Sequence, residues 1–257
     1  MSAHILAVAN QKGGVGKTTT TVNLAASLAA RGQRVLVIDL DPQGNATTGS
    51  GIDKASLEDG VYQVVLGDAD IQSAVIRSDS GGYDVLGANR ALAGAEIELV
   101  QEIAREIRLK NALQVVADDY DFVLIDCPPS LTLLTLNGLV AANGVIVPML
   151  CEYYALEGIS DLIATVRKIR QAINPQLDIT GIVRTMYDSR SRLVVEVSDQ
   201  LYQHFGNLMF ETVIPRNVRL AEAPSHGLPA LAYDPSAKGT QAYLNLADEL
   251  LARLGKA

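Results

Sequence analysis

Ten residues near the N-terminus, Asn10-Gln11-Lys12-Gly13-Gly14-Val15-Gly16-Lys17-Thr18-Thr19, combine the residue types that bind phosphate. Glycines let a backbone wrap a phosphate without Cβ clashes. The amides from Gly13 to Thr18 are expected to point inward at the start of a helix. Lys17 is placed to reach β- and γ-phosphates, and the Thr18 hydroxyl to ligate Mg²⁺. A glycine-rich turn without a ligand is the alternative, and the order strand, loop, Lys-Thr, helix argues against it. Further on, Asp39 and Asp41 are two apart, so both fall on one side of an extended chain. They close a strand, where open α/β sheets place their ligands. A carboxylate there can orient or deprotonate an attacking water and hold a Mg²⁺ shell; Asp41 is assigned that work, with Asp39 in support. A strand-end turn stabilised by Asp41-Pro42 is the competing reading. A third carboxylate, Asp126, follows Phe122-Val123-Leu124-Ile125 and is suited to holding Mg²⁺ through its water. Pro128-Pro129 after it makes a stiff loop able to sense the nucleotide state. In Val213 to Leu220, Pro215 can pack on a base and Asn217 can pair with adenine's edge, although the residues alone read equally as an ordinary loop.

Positioning these groups requires strands that end where the loops begin. Short β-branched runs, Ile5 to Ala9, Val35 to Leu40, Tyr83 to Leu86, Phe122 to Ile125, Gly144 to Met149, Ile179 to Val183 and Met209 to Ile214, alternate with helical patterns. Those patterns span Lys17 to Ala30, Glu96 to Ala117, Leu131 to Ala141, Leu156 to Ala172, Leu193 to Phe205 and Ser236 to Leu254. The alternation predicts an α/β fold with a mostly parallel, twisted sheet and helices on both faces. Thr47 to Ser80 is polar and glycine-dotted, and is expected to be an insertion with short helices. The 257 residues are 48% hydrophobic and 19% charged, which excludes a disordered chain. No linker divides them, so residues 1–257 are expected to form a single domain. Cys127 and Cys151 are too few for a disulfide scaffold, lack metal-site spacing, and fit a reducing cytoplasm; Cys127 reads as a small buried apolar residue. Neither a signal peptide nor a transmembrane run is apparent.

The glycine loop resembles a P-loop, although not the strict form. Counting back from Gly16, the position that G-x-x-x-x-G-K-[ST] fills with glycine is Gln11. The loop instead carries a second lysine, Lys12, and K-G-G-V-G-K-T-T resembles the deviant Walker A motif; Phe122 to Asp126 resembles a Walker B strand. Together with Asp39 to Thr47, Ala93 to Val100, Cys151 to Gly158, Thr185 to Asp188 and Val213 to Gly227, these segments are similar, in order, to the ParA/Soj family of chromosome and plasmid partition ATPases. The resemblance implies a P-loop NTPase fold and ATP and Mg²⁺ as cofactors. It implies nucleotide contacts from Lys12, Gly13, Gly14, Val15, Gly16, Lys17, Thr18 and Thr19, with Pro215 and Asn217 at the base. Lys12, Lys17, Asp41 and Asp126 are the implied catalytic residues, and Thr18, Asp41 and Asp126 the metal set. Lys12 would cross onto the nucleotide of a second copy in an ATP-sandwich homodimer; a solvated loop lysine is the plainer alternative. That dimer would bind double-stranded DNA without sequence preference, and a ParB-type centromere-binding protein would stimulate slow hydrolysis. A cytoplasmic, nucleoid-associated protein is implied. With Met1 just before the first strand, an N-terminal helix-turn-helix is not expected.

The net charge of -8 argues against a protein that coats DNA by bulk charge. Residues 1–150 hold 10 Lys+Arg against 17 Asp+Glu, net -7, whereas residues 151–257 are near balance at 11 against 12. Between Ala164 and Arg192 the bases Arg167, Lys168, Arg170, Arg184, Arg190 and Arg192 face two acids, Asp178 and Asp188, net +4. Such a stretch can neutralise phosphates in a salt-dependent way. Arg190 and Arg219 match positions the family uses for DNA; for any one arginine a solvated face or ion pair is the alternative. Two rival resemblances remain: a MinD-like, membrane-associated positioning ATPase, and an iron-protein reductase with paired cysteines. The first expects a basic amphipathic C-terminal helix, whereas Leu250, Leu251 and Leu254 here continue a core pattern with only Arg253 and Lys256 as bases, so no membrane partner is expected. The second expects cysteines in a cluster setting that Cys127 and Cys151 do not occupy.

Overall fold

Eight strands form one sheet in the computed structural model, which describes residues 3–256: β1 His4–Val8, β2 Val35–Asp39, β3 Val75–Ser78, β4 Tyr83–Leu86, β5 Phe122–Asp126, β6 Gly144–Met149, β7 Asp178–Tyr187 and β8 Met209–Pro215. Their order is β3-β4-β2-β5-β1-β6-β7-β8, and every pair is parallel except β3 with β4. Five longer helices cover it: α1 Lys17–Ala30, α2 Leu133–Ala141, α3 Ala155–Ala172, α4 Arg192–Phe205 and α5 Lys238–Arg253. The expected α/β architecture is therefore the one the chain adopts. Strand side chains alternate between two apolar layers. Leu6 and Val8 pack with Leu24 and Leu28 of α1 and Leu246 and Leu250 of α5. Ala7 faces the other way, into the layer of Leu134, Leu139, Ile159, Leu162, Val166 and Leu201 from α2, α3 and α4.

The expected helix from Glu96 to Ala117 is broken. Leu92–Glu98 is α-helical and Leu99–Gln101 a 3₁₀ turn, and helix resumes only at Arg108–Leu113. The reason is tertiary. Fully buried Asn137 of α2 accepts from the Leu109 amide (3.1 Å) and donates to the Arg105 carbonyl (2.8 Å), taking over backbone groups that a helix would have paired. Ala104 turns the chain at φ 55. The expected insertion between Thr47 and Ser80 does contain short helices, Val61–Leu66 and Ile71–Ala74. It also contributes β3, which the sequence reading missed because this edge strand offers only Val75 and Ile76 as apolar residues before the exposed Arg77.

Two loops at the amino ends of β2 and β5 are tied by Arg34 and Asp121, whose carboxylate takes the Arg34 backbone amide (2.9 Å) and both guanidinium arms. The Arg34 side-chain and backbone bonds hold the Asp121 carboxyl down at about 2. A depressed carboxyl contributes stability above its ordinary value near 3.9 and loses it as pH falls toward 2. Because both side chains are partly exposed, the gain is modest, up to about 1 kcal/mol. Urea titrations of Asp121→Asn and wild type should therefore differ at neutral pH and converge as pH approaches 2; a gap that persists there contradicts the assignment.

Candidate nucleotide site and basic surface

β1 ends between β5 and β6, and the chain then turns through Gly13 to Gly16 into α1. Gly14 (φ 72) and Gly16 (φ 87) hold left-handed backbone that a side chain would strain, and Gly16 caps α1. No acid occupies the first turn of α1, so its amide end and dipole are left to an anion. Lys17 is buried, and its ammonium donates to the Lys12 carbonyl across the loop (3.0 Å). Burial lowers the Lys17 pKa, with Asp126 opposing that shift. Thr18 and Thr19 are half-buried at the start of α1.

The two strand-end carboxylates meet because Asp39 and Asp126 are register partners on β2 and β5. Both are fully buried. Burial raises the pKa of each, and Asp39 pushes Asp126 further in the same direction. Asp126 accepts from the hydroxyls of Thr18 (2.7 Å) and Thr21 (3.1 Å). Asp39 is spoken for: it accepts from the Thr47 amide and hydroxyl, both 2.8 Å, and from the Asp41 amide at 3.1 Å. Asp41 is half-buried at the mouth, and among the described residues its side chain is engaged only by the Gln43 amide (2.9 Å). The two carboxylates thus differ in their engagement: Asp39 braces the turn to Thr47, whereas Asp41 keeps an oxygen uncommitted.

Among the described residues, no group of three or more His, Cys, Asp or Glu side chains could hold a metal ion. Mg²⁺ asks for less, since it keeps several waters and takes one or two carboxylates together with phosphate oxygens. An all-oxygen set of Thr18, Asp126 and Asp41, with Asp126 destabilised as an unneutralised buried anion, fits that ion. These residues would hold it, and its charge would offset theirs and that of the phosphates.

Behind the loop lies a cavity of about 240 Å³ lined by Gly16, Thr19, Thr185, Met186, Pro215, Asn217 and Tyr243, among others. Pro215 and Asn217 thus line one pocket, and the Asn217 side chain also accepts from the Arg219 amide (2.9 Å). Tyr243 was not singled out from sequence, and Thr185 and Met186 only as part of a family-like segment, without a place in the site. Tyr243 bonds Thr20 (3.1 Å) and sits at an apolar position of α5, where an aromatic reads as core. Cys127 and Cys151 are buried, and burial pushes both thiols up.

Lys12 leaves the loop. Its ammonium pairs with Glu152 at the surface, both side chains about half exposed, and the exposed Tyr153 and Tyr154 follow Glu152 in the chain. Lys17 alone serves the loop from within.

The run of six bases does not make one patch. Arg184 is buried, donating to Ser198 and to the Phe210 and Glu211 carbonyls, so it is lost to any surface. Arg170 pairs with Asp178 (3.0 Å) at the start of β7, whereas Arg190 and Arg192 follow its other end. Ten strand residues separate those ends by about 30 Å. Arg167, Lys168 and Arg170 therefore belong to one end of the sheet. Arg190, Arg192 and Arg219 belong to the end that carries the glycine loop. There Arg190 pairs with Asp188, Arg192 with Glu196, and Arg219 with Glu222 and Asp234. Arg216, which sequence reading passed over, is exposed between Pro215 and Asn217 and lines the cavity.

Comparison with known proteins agrees with this arrangement. A family described as an AAA domain matches residues 3–179. The sporulation initiation inhibitor protein Soj of Bacillus subtilis is 52% identical over 248 residues, covering 96% of this chain and 98% of that one. The chromosome partitioning protein ParA of Caulobacter vibrioides is 49% identical over 258 residues, covering 98% and 97%. The crystal structure of cobyrinic acid a,c-diamide synthase from Mycobacterium smegmatis with bound ATP analogue and magnesium superposes with a TM-score of 0.86 at 41% identity, covering 98% and 96%. The cell division ATPase MinD of Pyrococcus furiosus superposes at 0.81 with 26% identity, covering 98% and 99%. With its glycine loop, paired strand-end carboxylates and near full-length likeness to Soj and ParA, the chain belongs to the ParA/Soj family of chromosome-partitioning P-loop ATPases.

Proposed function

We propose that this chain is a DNA-segregation ATPase that converts ATP and water to ADP and phosphate. In this reading ATP binding drives a sandwich homodimer, and the dimer binds double-stranded DNA without sequence preference. A ParB-type centromere-binding protein stimulates slow hydrolysis and releases it. The protein so cycled positions chromosome or plasmid origins, in the cytoplasm and on the nucleoid. Lys17 would meet the β- and γ-phosphates from within the loop, Asp41 would orient the attacking water, and Pro215 and Asn217 would meet the base.

One observation carries the dimer reading. Lys12 stands outside its own loop while Lys17 fills it, so the second lysine is free for a nucleotide other than its own. Its partner Glu152 holds it weakly, since exposed pairs are worth about 0.2–1 kcal/mol. The exposed Tyr153 and Tyr154 that follow Glu152 would supply apolar contact to a second copy. The acid partners of Arg190, Arg192 and Arg219 are equally weak competitors, so DNA phosphates can replace them and two such clusters in a dimer would gain avidity. Arg167, Lys168 and Arg170 would need a second segment of DNA to take part. A MinD-like membrane role finds less support, because Leu250 and Leu251, which a C-terminal amphipathic helix would offer to a bilayer, are spent in the core.

Phosphate release with and without DNA and a ParB-type protein tests the reading. Stimulation requiring both is expected, and a rate indifferent to both contradicts it. In the same assay Lys12→Ala should still bind ATP, stay monomeric by light scattering, and lose the stimulation.

A further inference from the structure

Asn217, the residue assigned to the base, does not set its own position. It caps the short helix Val218–Glu222, and its side-chain oxygen accepts from the Arg219 amide (2.9 Å), which fixes the way the amide faces. That oxygen can accept once more and the nitrogen can donate, so an acceptor and a donor are left for a ligand in the cavity. Adenine presents the complement, a 6-amino donor beside a ring-nitrogen acceptor. How well they meet depends on where the short helix sits, because a side chain as short as asparagine's cannot make up a displaced backbone.

The short helix leans on α5 at Gly239. An added Cβ on this buried glycine would lie 2.7 Å from both Cγ and Cδ1 of Leu220 and 3.1 Å from the Asn217 Cβ. No real Cβ stands at the first distance, and Cγ of Leu220 and Cβ of Asn217 lie too near their backbones for a rotamer change alone to clear them. Leu220 is buried, and it lines the base cavity together with Asn217. Helix α5 is held from behind. Tyr243, one turn beyond Gly239 on the same face, bonds Thr20 of α1 (3.1 Å), and Leu246 and Leu250 pack with Leu24 and Leu28 of α1. The Thr240 hydroxyl donates to the Asp234 carbonyl (2.8 Å), tying down the first turn. The side that yields to a methyl is therefore the short helix, and Asn217 moves with it. Glycine weakens a helix relative to alanine, and the backbone here is ordinary helix, so what Gly239 supplies is room.

We propose that Gly239 is a positioning residue for the base: by carrying no side chain it lets the short helix close on α5, which holds Asn217 against the cavity and so sets the preference for ATP over ITP. The proposal rests on the reading above in which Asn217 meets the base, and deepens it. ITP carries an oxygen where adenine has its 6-amino group, so a donor becomes an acceptor that faces the Asn217 oxygen. The Arg219 bond keeps the amide from turning over to suit it. Two facing acceptors with no proton between them cost binding, and the cost is felt only while Asn217 stands close.

Displacement of a fluorescent ATP analogue by unlabelled ATP and by ITP, each with Mg²⁺, gives the ratio of the two affinities. Wild type should favour ATP by about tenfold, the size of one mismatched polar contact. Gly239→Ala should weaken ATP by about that factor, leave ITP nearly unchanged, and bring the ratio to about one. Turnover at saturating ATP should stay within about twofold of wild type, because the phosphate end is untouched. A merely structural defect weakens both nucleotides alike and leaves the ratio standing, which overturns the proposal. Should Gly239→Ala not fold, Leu220→Ala decides: it slackens the same contact without a clash, and a wild-type ratio there overturns the proposal. Asn217→Ser keeps a capping hydroxyl but is too short for the base, and so separates the two levels. A ratio that collapses in Asn217→Ser but holds in Gly239→Ala overturns the proposal and leaves Asn217 at the base. A wild-type ratio in Asn217→Ser, or a wild type indifferent between ATP and ITP, overturns the base assignment as well.

Discussion

Asp41→Ala should abolish turnover while leaving ATP binding almost intact. A carboxylate that positions or deprotonates water contributes roughly 10²–10⁴-fold, so hydrolysis should fall by about that factor with little change in KM. The hydrogen bonds of the three carboxylates are the reason for proposing this residue. Asp39 spends both oxygens on Thr47 and the Asp41 amide, and Asp126 spends both on Thr18 and Thr21. Only Asp41 stands at the mouth with an oxygen uncommitted. Asp39→Ala should behave differently, loosening the turn to Thr47 and lowering stability and nucleotide affinity together. Single-turnover hydrolysis beside equilibrium binding of a fluorescent ATP analogue separates the cases. An Asp41→Ala protein that turns over at the wild-type rate would remove Asp41 from the reaction.

The largest effect on folding is expected where β7 meets β8. Phe210 is fully buried, stacks its face against the Arg253 guanidinium (4.2 Å), and presses on Gly181 so closely that an added Cβ would lie 2.3 Å from the ring. Phe210→Ala removes a large side chain from a core that cannot fully collapse and should cost about 3–5 kcal/mol. That is a large share of a total stability of roughly 5–15 kcal/mol. Gly181→Ala alone should also destabilise, by about 1–3 kcal/mol, because its methyl has no room. In the double variant the methyl enters the space the ring has left, so the two costs should not add; the double variant should be no less stable than Phe210→Ala. Urea midpoints of the four proteins check this. Simple additivity would mean that the ring and the glycine do not meet.

What the sequence disclosed follows from where local signals decide. The strands at Tyr83–Leu86 and Gly144–Met149 and the helix Lys17–Ala30 are as expected, because apolar runs and the glycine loop mark them without help from elsewhere. The helix expected over Glu96–Ala117 failed where distant Asn137 captured its backbone. The carboxylates were visible as strand ends, but their division of labour was not, since Thr47 and Thr21 come from other elements. Tyr243 is indistinguishable from a core residue until α5 is laid against α1. The basic stretch misled for a geometric reason: charge summed along the chain does not register that β7 carries its two halves to opposite ends of the sheet, nor that Arg184 points inward.

The central claim is that ATP controls DNA affinity. Binding of a random-sequence duplex should be measured with ATP and with ADP, for wild type, Lys12→Ala and Arg190→Ala, across a salt series. Wild type should bind well only with ATP and progressively less as salt rises; Lys12→Ala should lose most of that binding with the dimer, and Arg190→Ala should bind weakly in either state. Equal affinity in all three proteins and with both nucleotides would contradict the account.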